Sequence, residues 1–140
     1  MRLFIDANIL VAVLNKEYPL FDTAARILSL DSKKNVTLFT SPICLAIAFY
    51  FAEKKSGSNK AKNKIKTLCD HIEIAGSSKK SVQEALNDPK VLDLEDGFEY
   101  YAALDSRCNY IITEDTGDFH FSEIPVMKSE DFLASLKGKV

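Results

Sequence analysis

Paired cysteines, histidine motifs, long apolar runs and a basic excess are all missing from this sequence of 140 residues, and each absence closes off a class of function. Lys and Arg together number 18 against 20 Asp and Glu, a formal net charge of -2, so no global basic field draws nucleic acid to the surface. Any such binding must use a local patch. Cys44, Cys69 and Cys108 are odd in number, far apart and without Cys-x-x-Cys or Cys/His ligand spacing, which argues against a disulfide framework or a structural zinc site. They are expected as reduced, buried thiols of a cytoplasmic protein. His71 and His120 stand in no motif, and neither a Ser/His/Asp triad nor a glycine-rich phosphate loop is present. The apolar N-terminal stretch is too short for a signal peptide and contains Asp6. The longest later apolar run, residues 43–52, falls far below the roughly 20 residues of a membrane span, so no membrane association is expected. With no internal repeat or low-complexity linker, and 46% hydrophobic residues, residues 1–140 are expected to form a single domain around one core.

What is present is an alternation of short apolar runs with helix-length segments. Residues 2–5 have the length of a buried strand, and residues 7–14 follow as a helix. Pro19 suits the first turn of a second helix, on which Leu20, Ala24, Ile27 and Leu28 fall on one face; it should end near residues 31–35. Residues 36–40 are strand-like. Ser41 as N-cap and Pro42 at the first helical position open a helix running to about Lys55. Beyond Gly57 and Ser58, residues 59–70 are amphipathic and helical, 72–75 a strand, 78–87 a short helix closed by Asp88-Pro89, and 94–108 a long helix. Residues 110–113 and 125–127 are further strands, and 130–136 a last helix. This order predicts a three-layer α/β fold with a mostly parallel central sheet of about five short strands.

Ligands of such sheets bind beyond the carboxyl ends of the strands. Asp6 stands at one such end, between two stretches that both look buried, and the exit of strand 110–113 carries Glu114, Asp115 and Asp118. If those two strands are neighbours, the acids face one another across a cleft. The segment DLEDGF adds Asp93, Glu95 and Asp96 on the first turn of the long helix, pointing to the same rim. Like charges gathered there repel unless a cation sits among them, and an oxygen-only cluster suits Mg²⁺ or Mn²⁺. Each acid also has a plainer reading: Asp6 and Asp93 as helix caps, Asp115 and Asp118 as stabilisers of the turn at Gly117.

The stretches LFIDANIL and DLEDGFEYYAALDSRCNYIITEDTGDF and the ending IPVMKSEDFL together resemble the PIN domain family, specifically its VapC-like toxin ribonucleases of bacterial toxin/antitoxin pairs. The resemblance spans nearly the whole chain. It implies a PIN-like fold and a metal-dependent nuclease whose acidic site comprises Asp6, Asp96 and Asp115, with Asp118 beside them and Asn8 and Thr113 shaping the site. It further implies a Glu on the helix after the second strand. Here no carboxylate occurs between Ser41 and Ala52, and Ile47 aligns at or next to the position. Glu53, six residues further on, is rotated by about 240° onto another face. A catalytically impaired PIN-like module that binds RNA or protein therefore stands beside the nuclease as the alternative reading. A haloacid-dehalogenase-like phosphatase ranks below both, because Asn8 occupies the position of its second Asp.

For an active nuclease the expected reaction is hydrolysis of RNA phosphodiesters, with a metal-activated water as nucleophile and 5′-phosphate and 3′-hydroxyl products. Lys54, Lys55, Lys60 and Lys62 gather with Lys64 and Lys66 in an otherwise acidic chain, where they contact RNA phosphates or simply solvate a helix face. Tyr100 and Tyr101 are candidates for base stacking, with Tyr101 more readily placed in the core. The segment ICLAIAFYF is apolar around more of its helix than one core face needs, which suits a homodimer interface or a surface for a cognate antitoxin protein.

Overall fold

In the computed structural model, which describes residues 1–137, the predicted alternation is present. Five strands, β1 (Arg2–Ile5), β2 (Thr37–Thr40), β3 (Glu73–Ile74), β4 (Tyr110–Ile112) and β5 (Val126–Met127), form one sheet in the order β3-β2-β1-β4-β5. Every pairing is parallel. Around it lie seven helices: α1 (Ala7–Leu14), α2 (Leu20–Leu28), α3 (Pro42–Ser56), α4 (Ser58–Cys69), α5 (Lys79–Asn87), α6 (Leu94–Asp105) and α7 (Ser129–Lys137). The result is the three-layer α/β arrangement expected from the sequence. No described helix is long and apolar enough to cross a membrane.

The central strand is the most apolar because it is covered on both faces: Leu3, Phe4 and Ile5 are completely buried. Its register, Ile5 opposite Ile112 of β4, decides where the site forms. The next residues on the two strands, Asp6 and Thr113, leave the sheet side by side at its carboxyl edge, and the Asp6 N–H still donates to the Ile112 carbonyl at 3.0 Å. A polar pair is thereby set on top of an apolar sheet.

Helix starts follow the local rules. The Asp6 carboxylate accepts from the Ala7 N–H at 2.7 Å and the Ser41 hydroxyl from the Cys44 N–H at 3.2 Å, with Pro42 behind it. Some expectations need correction. Helix α2 stops at Leu28 and tightens into a 3₁₀ turn over Ser29–Ser32, where the Ser29 and Ser32 hydroxyls donate back to Ala25 and Ser29 carbonyls. Helix α6 ends at Asp105, three residues early, because Ser106 caps it and Arg107 takes a left-handed conformation with φ 56°. Cys44 and Cys108 are buried, but Cys69 is exposed at the end of α4, where the solvent face of that amphipathic helix comes round.

Candidate active site

At the carboxyl edge of β1 and β4 a cleft of about 400 Å³ is lined by Asp6, Asn8, Ile47, Glu95, Asp96, Glu99, Asp115 and Asp118, among others. The volume lies in the range of small-ligand sites. Three of the acids proposed from the sequence arrive from separate elements: Asp6 from the end of β1, Asp96 from the first turn of α6, and Asp115 from the exit of β4. Asp118 joins them from a 3₁₀ turn over Thr116–Phe119.

Thr113 and Asn8 hold these acids in position. The buried Thr113 hydroxyl donates to Asp6 Oδ2 at 2.8 Å and accepts from the Asp115 N–H at 3.0 Å and from Asn8 Nδ2 at 3.0 Å. Asn8 Nδ2 also donates to Asp115 Oδ2 at 3.1 Å, and its carbonyl oxygen accepts from the Glu114 N–H. Asp6 is thus a helix cap and a cleft acid together: Oδ1 serves Ala7 while Oδ2 is oriented by Thr113. Its position between two buried stretches follows from this double use, since a carboxylate there needs bonded partners.

Not every acid named above joins the cleft. Glu114 turns away, its carboxylate accepting from the Ser129 N–H at 3.0 Å at the start of α7. Asp93 caps α6 by accepting from the Glu95 N–H at 2.9 Å. The aromatic candidates are elsewhere as well. Tyr100 is buried against Phe121, so its ring cannot stack on a base, and the half-buried Tyr101 donates its hydroxyl to Asp88 at 2.9 Å. His71 pairs with Asp31, away from the cleft.

One acid was missed. Glu99 lies one helical turn beyond Asp96 on α6 and points into the floor of the cleft with 2% of its surface exposed. The Asp96-x-x-Glu99 spacing, which places two side chains on one helix face, was the available signal. On α3 the side chain that reaches Asp6 is Cys44; Ile47, one turn later, lines the same cleft half-buried. Cys44 Sγ lies 2.9 Å from Glu99 Oε1 and 3.9 Å from Asp6 Oδ1.

The electrostatics follow from crowding without a counter-charge. Burial, and next the Asp6 carboxylate, push Glu99 up to about 11, so it holds its proton at neutral pH. Burial, then Asp93 and Asp118, raise Asp96 to about 7. Glu95 and Asp118 are also raised, by partial burial and neighbouring carboxylates, and the Cys44 thiol is raised by burial and by Glu99 and Asp6. Among the described residues the ion pairs are His71–Asp31 and Lys80–Glu84, neither of them in the cleft. Hard oxygen donors that no protein cation neutralises are the donor set a divalent cation requires.

The proposed RNA-contacting lysines stand apart. Lys54 lies over the Tyr50 ring at 4.7 Å, Lys55 donates to the Asn15 carbonyl, and Lys60 and Lys62 are exposed on α4. None lines the acidic cleft.

Comparison with known proteins gives concordant results. The sequence profile of the PIN domain matches residues 2–117. Ribonuclease VapC1 of Aquifex aeolicus is 24% identical over 135 residues, covering 94% of this chain and 92% of that protein. Among solved structures, VapBC-1 from nontypeable Haemophilus influenzae superposes with a TM-score of 0.72 at 17% identity, covering 93% of this chain and 99% of that one. VapBC2 from Rickettsia felis, solved bound to a DNA fragment from its promoter, gives 0.69 at 19% identity, covering 91% and 98%.

Proposed function

Because the chain belongs to the PIN domain family, we propose that its acidic cleft hydrolyses RNA phosphodiesters and that the protein is the toxin of a toxin/antitoxin pair. The observation that carries this reading is the convergence of Asp6, Asp96 and Asp115 from three elements on one cleft free of protein cations. Asp6, Asp96 and Asp115 would hold Mg²⁺ or Mn²⁺, with Asp118 beside them. The bound ion would lower the pKa of a water and offset charge building on the phosphate. Thr113 fixes the carboxylate of Asp6, and Asn8 that of Asp115, so that neither has to be ordered when the ion and substrate arrive. The ordinary similarity of VapC1, a ribonuclease, over nearly the full length of both chains supports the choice of RNA.

Likeness to the VapBC structures supports an antitoxin as partner. Tyr50 and Phe51, exposed on α3, are the residues we assign to that contact, in line with the apolar excess of this helix. Lys54, Lys60 and Lys62 are assigned to the backbone of a longer RNA, outside the cleft. The three unpaired thiols suit the reducing cytoplasm. A second reading, a PIN-like binding module without activity, is favoured by one feature: α3 presents a thiol and no carboxylate to Asp6.

Incubation with single-stranded RNA decides between them. The nuclease gives 5′-phosphate ends in the presence of Mn²⁺, none with a chelator, and none with Asp96→Asn. A folded chain that binds Mn²⁺ and RNA but leaves the RNA intact refutes the nuclease in favour of the module.

A further inference from the structure

Below the acids at the mouth of the cleft lies a second group of donors. Asp6, Cys44 and Glu99 come from β1, α3 and α6, all three are buried, and one ligand atom of each lies within 4.8 Å of the other two. Glu99 is 2% exposed, and the groups facing it here are the Asp6 carboxylate and the Cys44 thiol, with no cation among them. Asp96 faces it from its own helix. Three donors that all accept a metal thus converge in the interior, and one of them is sulfur.

We propose that Cys44 and Glu99 are, with Asp6, ligand residues of this chain's cation site, and that the Cys44 sulfur makes the site select a thiophilic divalent ion of the Zn²⁺ type over Mg²⁺. The proposal rests on the reading of the cleft as a cation site and adds which ion it prefers. Thiolate donors favour Zn²⁺ and its spectroscopic substitute Co²⁺, whereas an all-oxygen set suits Mg²⁺ and Mn²⁺. A set of three protein donors would leave such an ion room for water or substrate, as zinc sites with three protein ligands do. Ligation sends the thiol and carboxyl protons to solvent, as it does whenever Cys holds a metal. In this arrangement Glu99 supplies from α6 a carboxylate that α3 does not, and Cys44 supplies sulfur from α3, one turn before Ile47.

Titration of the metal-free protein with Co²⁺ tests the assignment through absorption, independently of any cleavage. A near-ultraviolet thiolate-to-cobalt charge-transfer band is expected in the wild type and in Cys69→Ser, whose thiol is exposed and remote from the cleft. Excess Zn²⁺ should remove the band, and millimolar Mg²⁺ should not. Cys44→Ser should lose it while retaining a Mn²⁺-induced rise in melting temperature through Asp6, Asp96 and Asp115. Glu99→Gln should weaken Co²⁺ binding by more than about tenfold, since the loss of even a supporting partner acts on that scale. Absence of the band in the wild type overturns the proposal without recourse to any variant. If a Mn²⁺-induced rise persists in that case, the cation cleft stands and only the sulfur ligand is lost; if no ion shifts melting, both readings fail. A band that survives in Cys44→Ser but disappears in Cys69→Ser assigns the cobalt to the surface thiol and also overturns the proposal.

Discussion

Replacing Glu99 by Gln is expected to stabilise the metal-free protein at neutral and alkaline pH, although the residue is buried and polar. Glu99 holds its proton up to about 11 in the folded chain, whereas an unfolded Glu loses it near 4.3. Its folded pKa is raised, so its contribution to stability is complete below the unfolded value and drains away as pH climbs toward the folded one. Across that window the unfolded state binds one proton fewer, and each pH unit costs about 1.4 kcal/mol. Between about pH 7 and about pH 8.5 the loss from this one group amounts to roughly 2 kcal/mol, while Asp96, at about 7, and the unfolded thiols titrate at the two edges of the window in both proteins and cancel in the comparison. Glutamine keeps the shape, donates to Asp6 as the protonated acid does, and accepts from Cys44 through its carbonyl, yet cannot ionise. Urea denaturation in a chelator at several pH values across that window should therefore show wild-type stability falling more steeply than that of Glu99→Gln, by roughly 2 kcal/mol from end to end. Parallel lines for the two proteins would refute the claim that Glu99 is buried in its neutral form.

Thr113→Val should cost about 1–3 kcal/mol in denaturant unfolding, because it removes the hydroxyl that joins Asp6, Asn8 and the Asp115 N–H and leaves their polar groups short of partners. Gly97→Ala should cost about 1–3 kcal/mol in the same assay, since its Cβ would meet Val91 Cγ1 at 2.6 Å and force α6 from its seat; an unchanged midpoint would show that Val91 yields freely. Asp6→Asn should abolish the rise in melting temperature that Mn²⁺ produces by binding the native state, and an equal rise in the variant would exclude a shared site. Ile47→Glu should fold, because the side chain lines the cleft half-buried, and should tighten Mn²⁺ binding in a calorimetric titration; an unfolded variant would show that the carboxylate is forced into the core at the cost of an unpaired buried charge.

Much of the architecture is written in short-range signals that act before the chain is folded. The apolar runs RLFI and YII have the length of strands buried on both faces, and the caps Asp6, Ser41 and Ser78 start helices through bonds to amides one to three residues away. For the same reason Asp6, Asp96 and Asp115 were legible as acids at the ends of elements, where parallel sheets place their ligands. The sequence itself also determined that an acidic cluster would lack a local cation, since no Lys or Arg lies within either acidic motif. Whether the acids meet was decided only by the order β2-β1-β4 and the pairing of Ile5 with Ile112, which depend on contacts far apart along the chain. The spacing of Glu99 from Asp96 puts the two on one helix face, but that this face is buried was decided only by the packing of α6 against α3. Glu114 and Asp115 are neighbours in sequence, yet the start of α7 captures the first and Asn8 the second. Cys44 and Ile47 share one face of α3, and which of them touches Asp6 depends on how far that helix slides along α1 and α6, against which it packs. Helical periodicity fixes a side chain's azimuth, but its depth relative to a neighbouring element is set by how the whole core packs.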